Sequence, residues 1–220
     1  MTALDLFCGA GGVSMGLHRA GFDCTGVDLS PQKRYPFRFV QADALTVPLE
    51  GYDFVWASPP CQAHTALRHV TGRQYEDLIP AMRARLIAWG GPWIIENVIG
   101  APLRNAVMLC GTSFGLGCEG AELRRHRIFE SNMPIMGLEC QHGVARAVIG
   151  VYGQHTRARQ RVATIGVYGH SMFNETGPNF SIAQGREAMG IDWMTQSELS
   201  QAIPPAYSEF LGRQIMEMIS

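Results

Sequence analysis

The sequence predicts an α/β fold with a doubly wound, mostly parallel sheet. Three observations carry this. In the first half, short apolar runs alternate with stretches of helical period, the pattern of strand–helix–strand crossovers. A glycine-rich turn, Asp5-Leu6-Phe7-Cys8-Gly9-Ala10-Gly11-Gly12, directly follows the first apolar run and opens the first helix. Acidic or reactive residues (Asp28, Asp43, Cys61, Glu96) recur where the strands end, the edge at which such sheets gather their ligands.

The elements follow in order. Strands are expected over 3–7, 24–27, 38–41, 53–57 and 93–95, and a helix over 13–20. Leu78, Ile79, Met82, Leu86 and Trp89 recur at helical spacing and predict a helix over 75–89. A helical stretch over 103–114 then leads to a sixth strand over 125–129. Beyond it the helical period fades. Ile149-Gly150-Val151-Tyr152-Gly153 and Ile165-Gly166-Val167-Tyr168-Gly169 echo each other and read as two short strands joined by a basic segment, too few copies for a repeat architecture. Helices over 184–189 and 205–219 close the chain.

With 220 residues, 46% hydrophobic and 17% charged, the chain can bury one good core. No apolar run reaches the length of a membrane span, and no basic–apolar leader opens the sequence, so a cytoplasmic protein is expected. The six cysteines are scattered and read as reduced thiols. Cys110, Cys118, Cys140 and His142 offer four zinc ligands, but their spacing matches no tight knuckle, and no metal is assigned. Net charge is −1, and of eighteen basic residues only Lys33 is a lysine. The local clusters Arg124-Arg125-His126-Arg127 and Arg157, Arg159, Arg161 are candidates for a phosphate-binding face; each could also be a solvated basic turn.

Ser58-Pro59-Pro60-Cys61-Gln62 carries the sharpest chemistry. Two prolines fix φ and stop the sheet, holding a thiol on a stiff corner at a strand end. A thiolate can add to an electron-poor ring carbon if the ring is activated at the same moment. A carboxyl such as Glu96, with Asn97 beside it, can share a proton with a ring nitrogen. A guanidinium such as Arg127, with Arg125 nearby, can hold a ring carbonyl oxygen. Together the set suits a pyrimidine. The glycine turn fits a nucleotide-like ligand without being a dinucleotide fingerprint or a phosphate loop. Asp28 is placed to accept from ribose hydroxyls and Asp43 to meet an adenine amino group, although either could be a helix cap.

These motifs resemble the DNA cytosine-C5 methyltransferases. The glycine turn is similar to that family's cofactor motif, and Ser58-Pro59-Pro60-Cys61-Gln62 to its nucleophile motif. Glu96-Asn97-Val98 resembles E-N-V. Leu123-Arg124-Arg125-His126-Arg127 resembles Q-x-R-x-R, with leucine for glutamine. Arg186-Glu187-Ala188 resembles R-E-A, and Ala202-Ile203-Pro204-Pro205 resembles A-V-P-P. The matches keep the family's order across nearly the whole chain.

The resemblance implies a Rossmann-like S-adenosylmethionine-dependent fold with a very small recognition region. It divides the chain into a catalytic domain (1–130), a reduced target-recognition region (131–183) and a C-terminal segment returning to the catalytic domain (184–220). S-adenosylmethionine would lie against Phe7, Cys8, Gly9, Ala10, Gly11 and Gly12, with Asp28 and Leu29 at the ribose and Asp43 and Ala44 at the adenine. Pro59, Gln201 and Ala202 complete that site. Cys61 would add to C6 of a flipped cytosine, Glu96 hold N3 and Arg127 the O2 carbonyl, with Asn97 and Arg125 in support. Pro60, Gln62, His64, Arg68 and Arg73, on or beside a loop over 63–74, and the arginines 157, 159 and 161 would meet double-stranded DNA. A monomer of the compact kind carried by phages, in a bacterial or infected cell, is implied, with genome modification or restriction protection as its role.

The pattern departs from the family in three places. The region between the arginine motif and R-E-A is short, so a short recognition sequence is expected. Ser200-Gln201 replaces G-N, which admits a modified sulfonium donor. Ala63-His64-Thr65 replaces the usual aromatic–serine pair. A tRNA cytosine-C5 methyltransferase and a non-catalytic DNA-binding protein are the competing readings.

Overall fold

Thr2–Leu6 (β1) starts the sheet with four of its five residues buried. Strands covered on both faces are buried along their length rather than alternating, and Ala3, Leu4, Asp5 and Leu6 are all buried here. The computed structural model describes residues 1–64, 75–143, 147–151 and 180–220. In it β1 is joined in parallel by β2 (Asp23–Asp28), β3 (Arg38–Gln41), β4 (Phe54–Ala57) and β5 (Trp93–Asn97). Two further strands, β6 (Val107–Leu109) and β9 (Arg127–Ser131), complete a seven-stranded sheet of order β3-β2-β1-β4-β5-β9-β6. Only β9 is reversed, antiparallel to both neighbours. The doubly wound, mostly parallel sheet read from the sequence is therefore the fold.

The two faces are covered by different helices. On one, α1 (Gly12–Arg19) packs against the last helix, Pro205–Ile219. A Cβ on Gly16 would meet the Pro205 carbonyl oxygen at 2.1 Å, so glycine is what lets the two backbones approach. Val13, Leu17, Tyr207, Leu211 and Ile215 join Phe22, Phe54, Trp56 and Phe129 in that core. On the other face, α2 (Ile79–Trp89) sets Met82 and Leu86 against Leu4, Leu6, Val55 and Ile95. A buried ion pair ties this helix to the reversed strand. Arg83 Nε and a terminal nitrogen donate to the two Glu130 oxygens at 2.7 Å each, the bidentate geometry that makes such pairs specific.

A second, smaller sheet has β7 (Gly117–Cys118) and β10 (Val148–Ile149) on either side of β8 (Ala121–Leu123). It packs with α3 (Ile182–Met189) and α4 (Gln196–Gln201) around Leu123, Ile149, Ala188, Met189, Met194 and Leu199. Both helices open on a reciprocal cap, Ser181 with Gln184 and Thr195 with Glu198. The helix Pro205–Ile219 becomes α5.

Several expectations need correction. No helix forms over 103–114: Val107–Leu109 pairs with β9, and Gly111–Phe114 is a 3₁₀ turn. The outer edge of β9 recruits these residues, and tertiary pairing overrides a local helical spacing. The sixth strand starts at Arg127 rather than 125, because Arg125 turns inward as a brace. α2 starts at Ile79 rather than 75, where Pro80 opens the first turn and Asp77 accepts from the Ile79 amide at 3.0 Å. Val148–Ile149 pairs with β8; residues 165–169 and the basic segment lie outside the described residues. Among the described residues, no helix is long and apolar enough to cross a membrane.

Candidate active site

The reversed β9 explains how one edge of the sheet collects the key side chains. β4 and β5 run toward that edge and end at Ala57 and Asn97. β9 runs away from it and begins there, with Ile128 opposite Asn97. Arg127 therefore enters at the edge where Glu96 leaves. Its Nε lies 3.1 Å from Glu96 Oε1.

Glu96 is buried. Burial raises its pKa above the usual carboxylate range, and Arg127, the Ser58 hydroxyl and Arg125 pull it back in part. Ser58 is thereby a member of the site that motif reading left unassigned. Its hydroxyl accepts from Trp56 Nε1 at 3.0 Å and donates to Glu96. Cys61, next on the same turn and partly exposed, is raised by burial, lowered by Arg127 and raised again by Glu96. Thiol, carboxyl and guanidinium thus lie within electrostatic reach of one another.

Two neighbours hold this group in place rather than face its centre. Asn97 is buried; its Nδ2 donates to the Pro59 carbonyl and its Oδ1 accepts from the Val98 amide, both at 2.9 Å. The strand end is thus clamped to the proline corner that carries Cys61. Arg125, expected among the catalytic groups, is also buried. Its guanidinium donates to the Val151 and Ser200 carbonyls, while its own carbonyl accepts from Tyr207 Oη. It contributes charge to Cys61 and Glu96 while bracing three chain segments.

At the β1 end, Cys8 and Gly11 turn the chain in front of α1. Phe7, Gly9 and Gly11 all have positive φ, at 60°, 47° and 87°. A Cβ on Gly9 would meet nothing within 4 Å, so this backbone faces open space. Asp28 braces the turn, accepting from the Gly9 amide at 3.1 Å and the Ser30 amide at 2.9 Å. Asp43 caps the turn after β3 through the Leu45 amide at 2.8 Å. From the late segment, Trp193 Nε1 donates to the Ala10 carbonyl at 2.8 Å, and a Cβ on Gly12 would meet the Ile203 carbonyl oxygen at 2.4 Å. Ala202 and Ile203 therefore pack beside the glycine turn. Leu29 stands exposed, and Gln201 is exposed at the end of α4.

Some residues are placed differently from expectation. The Ala44 side chain lies in the core and its carbonyl accepts from Arg85. The Cys8 thiol is buried, donates to the Gly9 carbonyl and is held protonated by burial. His64 pairs with Asp77 at 3.0 Å, beside the start of α2, while Pro60 and Gln62 stand exposed on the corner. Arg68, Arg73, Arg157, Arg159 and Arg161 lie outside the described residues. Cys118 does not join the other candidate zinc ligands; it is buried in the small sheet, and His126 takes its place beside Cys110, Cys140 and His142.

Asp5 is the other residue that motif reading passed over. It is fully buried under the glycine turn, with Ser14 donating to Oδ2 at 2.5 Å and Oδ1 without a hydrogen-bond partner.

A mostly parallel sheet with one reversed strand near its edge and a glycine turn after β1 make this a Rossmann-like α/β fold, the fold of the solved structures it resembles. Among solved structures, the chain is similar to a prophage-encoded E. coli protein described as a DNA modification methyltransferase. They share 14% identity and a TM-score of 0.64 over 100% of this chain and 99% of that one. It is also similar to the Entamoeba histolytica methyltransferase EhMeth, at 12% identity and a TM-score of 0.60 over 100% and 99%. The S. pombe Dnmt2 methyltransferase follows at 14% identity and a TM-score of 0.57, with the same coverage. No protein-family model and no curated protein sequence matches the chain.

Proposed function

We propose that this protein is a DNA cytosine-C5 methyltransferase that uses S-adenosylmethionine and a covalent Cys61 adduct. The observation that carries the reading is Cys61, Glu96 and Arg127 meeting at one sheet edge, with Arg127 brought there by a reversed strand. The full-length resemblance to methyltransferase structures supports it.

The residues fit the methyl donor. Gly9 presents open backbone beside Asp28, whose carboxylate keeps lone pairs for ribose hydroxyls, and Ala202 flanks the turn from the late segment. Phe7, Gly11, Asp43 and Pro59 complete the site in this reading. When bound, S-adenosylmethionine supplies an electrophilic methyl group.

On the substrate side, the cytosine must leave the stack, at a cost of a few kcal/mol that protein contacts offset. Cys61 gives up its proton and adds to C6. Burial disfavours an isolated thiolate there, while the Arg127 charge favours it. Glu96, held toward its protonated form by burial, delivers a proton to N3, so the electron pair pushed in at C6 reaches C5. Arg127 steadies the O2 carbonyl. After C5 has taken the methyl group, loss of the C5 proton to solvent, return of the N3 proton to Glu96 and expulsion of the Cys61 thiolate restore the aromatic ring. Asn97 keeps the thiol in register through the Pro59 carbonyl.

Residues 1–130 and 184–220 form the catalytic part in this proposal, and 131–183 choose the target. The test is transfer of a labelled methyl group to duplex DNA and, in parallel, to tRNA. Transfer to DNA that disappears in Cys61→Ser is expected. Full transfer by that variant, or a strong tRNA preference, overturns the mechanism or the substrate.

A further inference from the structure

Cys110, His126, Cys140 and His142 converge from three parts of the chain that share no local motif. Cys110 directly follows β6, His126 precedes β9, and Cys140 and His142 lie on the connection after it. Their ligand atoms all fall within 4.8 Å of one another. His142 Nε2 lies 3.3 Å from Cys110 Sγ, and His126 Nε2 lies 3.3 Å from Cys140 Sγ. Tetrahedral zinc with ordinary Zn–S and Zn–N bonds would set each S–N edge at about 3.6 Å. Both histidines turn the same ring nitrogen inward, with their rings 5.2 Å apart and steeply inclined at 76°.

The surroundings are built to support such a group. Thr112 Oγ1 donates to Cys110 Sγ at 3.3 Å and accepts from the Gln141 amide at 3.1 Å, the outer hydrogen bonding that orients metal ligands. The connection carrying Cys140 and His142 has no helix or strand over 138–143. It is nevertheless pinned on both sides, by Ser113 to the Glu139 carbonyl at 2.8 Å and by Glu122 to the Gly143 amide at 2.7 Å.

We propose that these four side chains form a structural Cys2His2 zinc site. Four protein ligands leave no open position, so the ion serves architecture rather than chemistry. Two thiolates neutralise its charge, and the two thiol protons are released on binding. The ion clamps the 138–143 connection to the start of β9, one residue from Arg127 and so directly beside the sheet edge described above. The spacing Cys-x15-His-x13-Cys-x-His matches no short knuckle because the sheet, not a local turn, assembles it.

The experiment uses the full chain produced in zinc-supplemented medium, with metal content by mass spectrometry and cobalt substitution as readouts. One zinc per chain is expected, lost in Cys140→Ser and in His142→Ala and retained in Cys118→Ser. Cobalt should give thiolate charge-transfer and tetrahedral visible bands, and a strong chelator should lower the melting temperature until zinc is restored. Metal-free protein without cobalt bands overturns the proposal, as does a Cys110–Cys140 disulfide in its place or loss of zinc in Cys118→Ser alone.

Discussion

Asp5 offers a quantitative test of how the glycine turn is supported. Its carboxyl is fully buried, and burial, reinforced by the charges of Asp28 and Glu96 and partly offset by Ser14, lifts its pKa from 3.8 to about 7. A folded pKa above the unfolded one means the native state holds the proton more tightly. Stability is therefore greatest at low pH, falls as pH rises from about 4 to about 7, and levels off above. The full difference is about 4 kcal/mol, of which roughly 2–3 kcal/mol falls between about pH 5 and about pH 8. The perturbation is Asp5→Asn, which keeps an acceptor for Ser14 but cannot ionise. Urea unfolding of both proteins across that pH range is the assay; Glu96, shifted in the same direction, titrates in both. The wild type should lose roughly 2–3 kcal/mol relative to the variant as pH rises. Parallel curves would refute the reasoning.

Two further outcomes follow from individual contacts. Asn97→Ala removes the bond to the Pro59 carbonyl and should cost about 1–3 kcal/mol of stability, with a fall in single-turnover methyl transfer larger than any change in DNA affinity; unchanged turnover would show that the clamp does not position Cys61. Gly9→Ala meets no side chain, so its folding cost should be only about 1 kcal/mol for the positive φ. Calorimetry should nevertheless show markedly weaker S-adenosylmethionine binding, and wild-type affinity would remove Gly9 from the cofactor site.

The parallel half of the sheet was legible because β4 and most of β5 are contiguous apolar runs and each strand carries or precedes an acidic or reactive residue near its end. Arg38–Gln41 and Pro205–Ile219 match their expected bounds, the latter fixed by Pro205 at its first turn. What the sequence hid depends on pairing between distant segments. The reversal of β9 leaves no local trace, yet it brings Arg127 to Glu96. The apolar spacing over 103–114 imitates a helix because an edge strand followed by a 3₁₀ turn places Leu109, Cys110 and Thr112 inward. The division of labour between Arg125 and Arg127 was equally hidden, since which of two nearby arginines turns inward is decided by the Val151 and Ser200 carbonyls. His126 went unassigned as a ligand because it sits inside an arginine motif, far in sequence from Cys140.

The central claim is that Cys61 attacks the cytosine ring, and a duplex carrying 5-fluorocytosine tests it most directly. Fluorine at C5 blocks the final proton loss, so a working nucleophile stays attached. With S-adenosylmethionine present, a denaturant-stable protein–DNA adduct should form, with the modification mapped to Cys61 and absent in Cys61→Ser. An active enzyme that leaves no adduct, or an adduct on another residue, would contradict the account.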